Sequence, residues 1–152
     1  MFNLRVYGIL INEKNEVLVS DELIRGSYIT KFPGGGLEFG EGTLECLKRE
    51  FKEEMDLDIE TGPHIYTTDY FQVSAFNPQH QIISIYYYVK ALESIKVPLS
   101  DKPFVFSEKQ MEIYKERQMI ESFRFIPMAQ LTEDDLSLPI DKIVVNKIKR
   151  SN

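Results

Sequence analysis

Three carboxylates, Glu50, Glu53 and Glu54, recur at spacings of three and four in a segment that opens at Thr43 and carries Leu44, Leu47, Phe51 and Met55 at helical intervals. At about 100° per residue they share roughly 100° of arc, beside the apolar stripe and not opposite it. Each like-charge pair at such spacing costs a few tenths of a kcal/mol on a bare helix, so the three repel one another unless a cation joins them. Hard carboxylate oxygens gathered in this way suit Mg²⁺ or Mn²⁺ better than zinc. The competing reading is a solvated acidic face, with Lys48, Arg49 and Lys52 supplying ordinary helix salt bridges.

The residues ahead of the helix favour the metal. From Gly35 the chain runs through five residues to Glu41 and seven more to Arg49-Glu50-Phe51-Lys52-Glu53-Glu54-Met55-Asp56-Leu57. This closely resembles the signature of the Nudix hydrolases, Gly-x5-Glu-x7-Arg-Glu-U-x-Glu-Glu-x-Gly-U with U bulky and aliphatic. Phe32-Pro33-Gly34-Gly35-Gly36-Leu37-Glu38 is similar to the usual lead-in. The match departs from the pattern twice: Asp56 replaces a Gly and Phe51 an aliphatic residue. Asp tolerates the left-handed conformation that the Gly supplies at a helix end, so Asp56 is expected to end the helix with positive φ. Neither departure touches a carboxylate.

The resemblance implies an α/β fold, an α/β/α sandwich with a central mixed sheet, and hydrolysis of a nucleoside diphosphate linked to another group. It implies metal ligation by Glu50, Glu53, Glu54 and the carbonyl of Gly34, and an ion pair between Glu41 and Arg49. Glu53, Glu50, Arg49 and Glu41 form the expected catalytic group. Glu53, at the edge of the acidic arc, is the first choice to bind metal and attacking water together. Some family members instead take their base from a loop before the last strand, a role open here to Glu112, Glu116 and Glu121. The physical logic does not depend on the family: a diphosphate is repelled by an anionic site unless Mg²⁺ bridges the two and polarises the phosphoryl oxygens.

The sequence says less about the substrate. Arg25 stands where relatives place a basic residue toward phosphate or base, with a plain surface Arg as the alternative. Leu138-Pro139-Ile140-Asp141 resembles the entry to the final helix in the MutT-like branch, where an Asn or Asp reads the nucleobase; an Asp in a first helical turn also simply suits the dipole. Pro78 is a distant match to a Pro of ADP-ribose-specific relatives. His64 and His80 are expected in loops and make no metal site. Cys46 is expected to pack, and alternation sends Tyr87 and its neighbours Tyr86 and Tyr88 to opposite faces, so that at least one ring is core. Residues 147–150 read as a frayed basic end.

Other elements must position this site. Residues 3–12 and 16–20 read as a hairpin joined by Glu13-Lys14-Asn15, and the Pro-Gly-Gly-Gly run excludes helix or central strand. Thr43 is the expected N-cap, without a Glu or Gln at Cys46 to complete a capping box. Strands are expected at 65–76, 81–92 and 122–126, helices at 107–118 and 139–149, and a loop at 97–102. The 152 residues, 43% hydrophobic and 28% charged, suit a single domain spanning 1–152 that needs no disulfide or metal staple. A net charge of −6 disfavours a nucleic-acid binder, and no apolar run suggests a leader or membrane span. The expectation is a cytoplasmic monomer or small oligomer such as a homodimer, acting on a small nucleotide-type diphosphate with Mg²⁺ or Mn²⁺. The expected substrate is a nucleoside triphosphate or related nucleotide. The rivals are an ADP-ribose or nucleotide-sugar pyrophosphatase and a Nudix-fold module that senses a nucleotide without cleaving it.

Overall fold

The computed structural model describes residues 1–151. In chain order its elements are β1 (Phe2–Leu10), β2 (Glu16–Ile24), β3 (Ser27–Lys31), β4 (Gly34–Gly36), α1 (Thr43–Met55), β5 (Ile59–Thr67), β6 (Gln81–Ala91), α2 (Glu108–Arg117), β7 (Met119–Pro127) and α3 (Pro139–Ser151), with a 3₁₀ turn at Glu133–Asp135. Two compact units result, Met1–Leu10 with Pro33–Lys96, and Ile11–Phe32 with the chain from Val97 onward. The fold class is the mixed α/β one that was expected.

The first unit holds a mixed sheet in the order β4-β1-β6-β5, in which β1 and β6 run parallel. The second holds an antiparallel sheet, β3-β2-β7. The expected hairpin therefore does not form as a ladder: β1 pairs with β4 and β6, and a lone bridge joins Ile11 to Val17. The Asn12 side chain accepts the N–H groups of Lys14 and Glu16, which makes the turn but ends the pairing beside it.

Strand β2 runs past Ser20 through Asp21 and Glu22, because buried partners neutralise both charges. Arg124 Nε lies 2.7 Å from Asp21 and Lys31 Nζ 3.0 Å from Glu22. The strand expected at 65–76 lies earlier, as β5, and so carries His64, which is not in a loop. Gly62-Pro63 reads as a break, yet β5 is an edge strand whose ladder shifts register between Thr61 and Tyr66, where a missing N–H is tolerated. His80 does precede a strand, in a loop, and β6, α2, β7 and α3 form where expected.

The N-cap of helix α1 lies one residue earlier than expected. Gly42 is the N-cap, and Glu45 Oε1 accepts its N–H at 3.0 Å, so a carboxylate does close the turn, from Glu45 and not from Cys46. Cys46, Leu47, Phe51 and Met55 are buried along one face. The helix ends as expected at Asp56, with φ 49° and ψ 43°. The Asp56 N–H returns to Lys52 O and that of Leu57 to Phe51 O, which satisfies two terminal carbonyls. The ring of Phe51 sits over Gly8 of β1: a Cβ there would lie 2.7 Å from Cε1. This fixes which face of the first sheet α1 covers.

Candidate active site

One guanidinium organises the acidic helix. Arg49 donates from Nε to Glu41 Oε2 at 2.9 Å and from Nη2 to Glu41 Oε1 at 2.7 Å, a two-pronged bond across the loop that enters α1. Its Nη2 also donates to the carbonyl of Gly36 at 3.0 Å. The other fork, Nη1, reaches Glu50 Oε1 at 2.9 Å and Glu53 Oε2 at 3.2 Å. Arg49 thus ties the end of β4 and its following loop to two carboxylates of the helix. Of these carboxylates, Glu50 is 14% exposed and Glu53 59%.

The electrostatics follow from that contact. Hydrogen bonding to Arg49, with help from the Glu38 N–H, lowers the Glu41 pKa to about 2. The bond to Glu41 in turn raises that of Arg49 above its ordinary range. Cys46 is fully buried, and burial, reinforced by the charge of Glu41, pushes its thiol up to about 12. It is packing and not a nucleophile, as expected.

The glycines of β4 are shaped by the same site. A Cβ on Gly35 would lie 2.4 Å from the carboxyl of Glu50, so that side chain rests directly on bare backbone. Gly34, at φ 149°, could carry no Cβ, which would fall 2.1 Å from the Val6 carbonyl. Strand β4 can approach the helix this closely because it has no side chains there.

The structure therefore brings together Glu41, Arg49, Glu50 and Glu53 beside the glycine strand that contains Gly34. Glu54, half-buried, is the next residue along the helix from Glu53. Among the described residues no group of three or more His, Cys, Asp or Glu side chains stands ready to hold a metal ion. Arg49 Nη1 instead supplies the positive charge shared by Glu50 and Glu53.

The remaining candidates belong to the second unit. Arg25 is exposed at the tip of the β2–β3 hairpin with φ 48°, followed by Gly26 at φ 82°. Asp141 is fully buried in the first turn of α3, a placement that a solvated dipole partner would not need. None of the three alternative bases lies in a loop. Glu112 and Glu116 are exposed on α2, where Glu112 pairs with Lys115 at 3.0 Å. Glu121 is on β7 and accepts from Ser20 Oγ at 3.2 Å. The sequence reading missed the Gly36 carbonyl as a partner of Arg49. It also missed the buried charges of β2, whose signal was an acidic pair inside an apolar run. At least one ring of the tyrosine run was expected to be core, and Tyr86 is, while Tyr87 bonds the Thr43 hydroxyl at 2.9 Å at the start of α1.

Comparison with known proteins decides the family, because the sequence model of the NUDIX domain matches residues 1–145. The chain belongs to the Nudix family. An RNA pyrophosphohydrolase of Ruthia magnifica subsp. Calyptogena magnifica is 43% identical over 54 residues, covering 35% of this chain and 29% of that relative. Among solved structures, a Nudix hydrolase from Nitrosomonas europaea superposes with a TM-score of 0.69 at 15% identity, over 99% of this chain and 90% of that one. The MutT protein from Methanosarcina mazei Go1 gives 0.68 at 16% identity, over 99% and 95%. At these identities the structural matches establish the Nudix fold, and the fit over nearly the whole chain agrees with the reading made from a box of some two dozen residues.

Proposed function

We propose that this Nudix protein is a Mg²⁺- or Mn²⁺-dependent pyrophosphohydrolase acting on a small nucleotide-type diphosphate. The observation that carries the reading is the Arg49 clamp, which binds Glu41 and Gly36 on the loop and Glu50 and Glu53 on the helix. A purely solvated acidic face would not need a strand of three glycines so that a carboxylate can lie against its backbone.

In donor chemistry the residues suit a hard divalent ion: Glu50, Glu53 and Glu54 would supply carboxylate oxygens and Gly34 a carbonyl, once Arg49 Nη1 yields its hold on Glu50 and Glu53. When bound, such an ion lowers the pKa of a coordinated water and offsets the charge of the phosphoryl oxygens. The chain's own residues then have separable tasks. Glu41 is a positioning residue, since its carboxylate is committed to Arg49 and its depressed pKa makes it a poor proton acceptor near neutrality. Of the two helix carboxylates bound to Arg49, Glu53 is 59% exposed and Glu50 14%, so Glu53 is the one open to the attacking water and takes its proton. Arg49 holds the loop and helix in register, as a guanidinium with two prongs on one carboxylate can and an ammonium cannot.

The test is a panel of nucleoside triphosphates, ADP-ribose, NADH, nucleotide sugars and a 5′-triphosphorylated oligonucleotide, with purified protein and Mg²⁺. Hydrolysis in ¹⁸O-labelled water is expected to label a phosphate product. Glu53→Gln is expected to cut kcat by orders of magnitude and to raise KM only modestly. Tight nucleotide binding without turnover of any panel member would replace this reading with a sensor. Full activity in Glu53→Gln would move the base to Glu121, Glu112 or Glu116.

A further inference from the structure

The glycine strand has two faces, and α1 uses one of them. Successive residues of a strand point to opposite sides, and directly opposed residues of an antiparallel pair share a side. Gly35, opposite Val6, turns toward α1 and carries the Glu50 carboxyl against it. Gly36, opposite Arg5, turns the other way, and the atom nearest to a Cβ built there is Arg5 Nη1, at 3.7 Å. The strand thus has a carboxylate against one face and a guanidinium over the other. Backbone without side chains is the thinnest partition a protein can place between them.

Arg5 is held in place. Its Nε donates to Tyr7 Oη at 2.9 Å, and its guanidinium carbon lies 5.7 Å from the centre of that ring. Tyr7 is buried and set against the buried Tyr86, with ring centres 5.2 Å apart. With Nε on the hydroxyl, the Nη end of the fork is directed along the sheet edge to Gly36. The carbonyl of Gly36 is also the one that receives Arg49 Nη2 at 3.0 Å, so two guanidiniums flank this residue. Arg49 serves the carboxylates. Arg5 stands on β1, beside the edge strand β4 and on the opposite face from Glu50, and is half-buried.

We propose that Arg5, oriented by Tyr7, binds a phosphoryl group of the substrate at the edge of β4. This rests on the pyrophosphohydrolase reading above. A diphosphate at the Gly36 end of the strand, where the backbone is no longer buried, can present one phosphoryl group to the carboxylate side and the other to Arg5. A guanidinium fork is the side chain best matched to phosphoryl oxygens, and a pre-oriented one loses little rotamer freedom on binding.

The test uses Arg5→Gln, Arg5→Lys and Tyr7→Phe in the full chain, with steady-state kinetics on the substrate found in the panel. Binding of its uncleavable α,β-methylene analogue with Mg²⁺ and binding of Mn²⁺ alone are measured in parallel. Arg5→Gln is expected to raise KM and weaken analogue binding by about tenfold or more, the loss of charge-assisted hydrogen bonds. Mn²⁺ affinity should stay unchanged, Arg5→Lys should recover part of the loss, and Tyr7→Phe should show a smaller loss of the same kind. If Arg5→Gln lowers only the melting temperature and leaves KM and analogue affinity within about twofold, Arg5 is structural and the proposal is overturned. Should Arg5→Gln not fold, Arg5→Lys decides: wild-type KM and analogue affinity there overturn the proposal, and a partial loss of both supports it. A wild type that neither binds nor hydrolyses any nucleotide overturns the pyrophosphohydrolase reading itself, an outcome distinct from an active wild type indifferent to Arg5.

Discussion

The seating of Phe51 on Gly8 yields a prediction that tests how the acidic helix is placed. A methyl at Gly8 would stand 2.7 and 2.9 Å from Cε1 and Cζ of Phe51 and 3.0 Å from Cγ1 of Val89. Ordinary carbon contacts lie at about 3.5–4.0 Å, so Gly8→Ala demands movement of an aromatic ring that is 0% exposed. Overpacking of this kind costs about 1–3 kcal/mol, and a chain of this size loses roughly 2–4 °C of melting temperature for each kcal/mol. Phe51→Leu should cost less than the about 3–5 kcal/mol of a Phe→Ala truncation. Combined, the two changes fit each other, because the smaller side chain leaves room for the methyl. The double variant should therefore be more stable than the sum of the single losses implies, by about 0.5–3 kcal/mol. Urea and thermal unfolding followed by circular dichroism on all four proteins measure this coupling. Metal-dependent hydrolysis should follow the same order, since Glu50 is the residue next to Phe51. Strict additivity, or a neutral Gly8→Ala, would refute the claim that glycine at position 8 sets the depth of the helix.

Glu54→Gln is expected to weaken Mn²⁺ binding by about tenfold or more in a direct titration; an unchanged affinity would remove Glu54 from the ligand set. Glu41 bears on acid stability. Its pKa falls from the ordinary 4.5 to about 2 on folding, so its contribution is complete above pH 4.5 and is lost as pH falls toward 2. Glu41→Gln should therefore flatten the melting temperature against pH in that window, and a slope identical to that of the wild type would count against the pair. Asp56→Gly should shift the melting temperature by less than about 4 °C, because relief of a left-handed Asp is opposed by loss of its exposed contacts with Lys52 at 3.1 Å and Lys96 at 3.5 Å.

What the sequence determined by itself was chemistry carried by near neighbours. Glu50, Glu53 and Glu54 on one arc follow from local spacing, while the Glu41–Arg49 pair and the left-handed Asp56 were legible through the resemblance to the Nudix signature, which also joins residues close in the chain. Much of the element order was readable for the same reason, from periodicity and from the Pro and Gly residues that interrupt it. What only tertiary structure decided was pairing between distant segments. Strand β1 pairs with β6, some seventy residues on, and not with β2, and no property of residues 2–10 specifies that partner. Asp21 and Glu22 could join a strand only because Arg124 and Lys31 arrive to neutralise them. The two faces of the glycine strand, with Glu50 on one and Arg5 on the other, exist only once β4 lies beside β1. Such contacts depend on which strands become neighbours, and that is settled by burial of the whole chain rather than by the conformational preference of any segment.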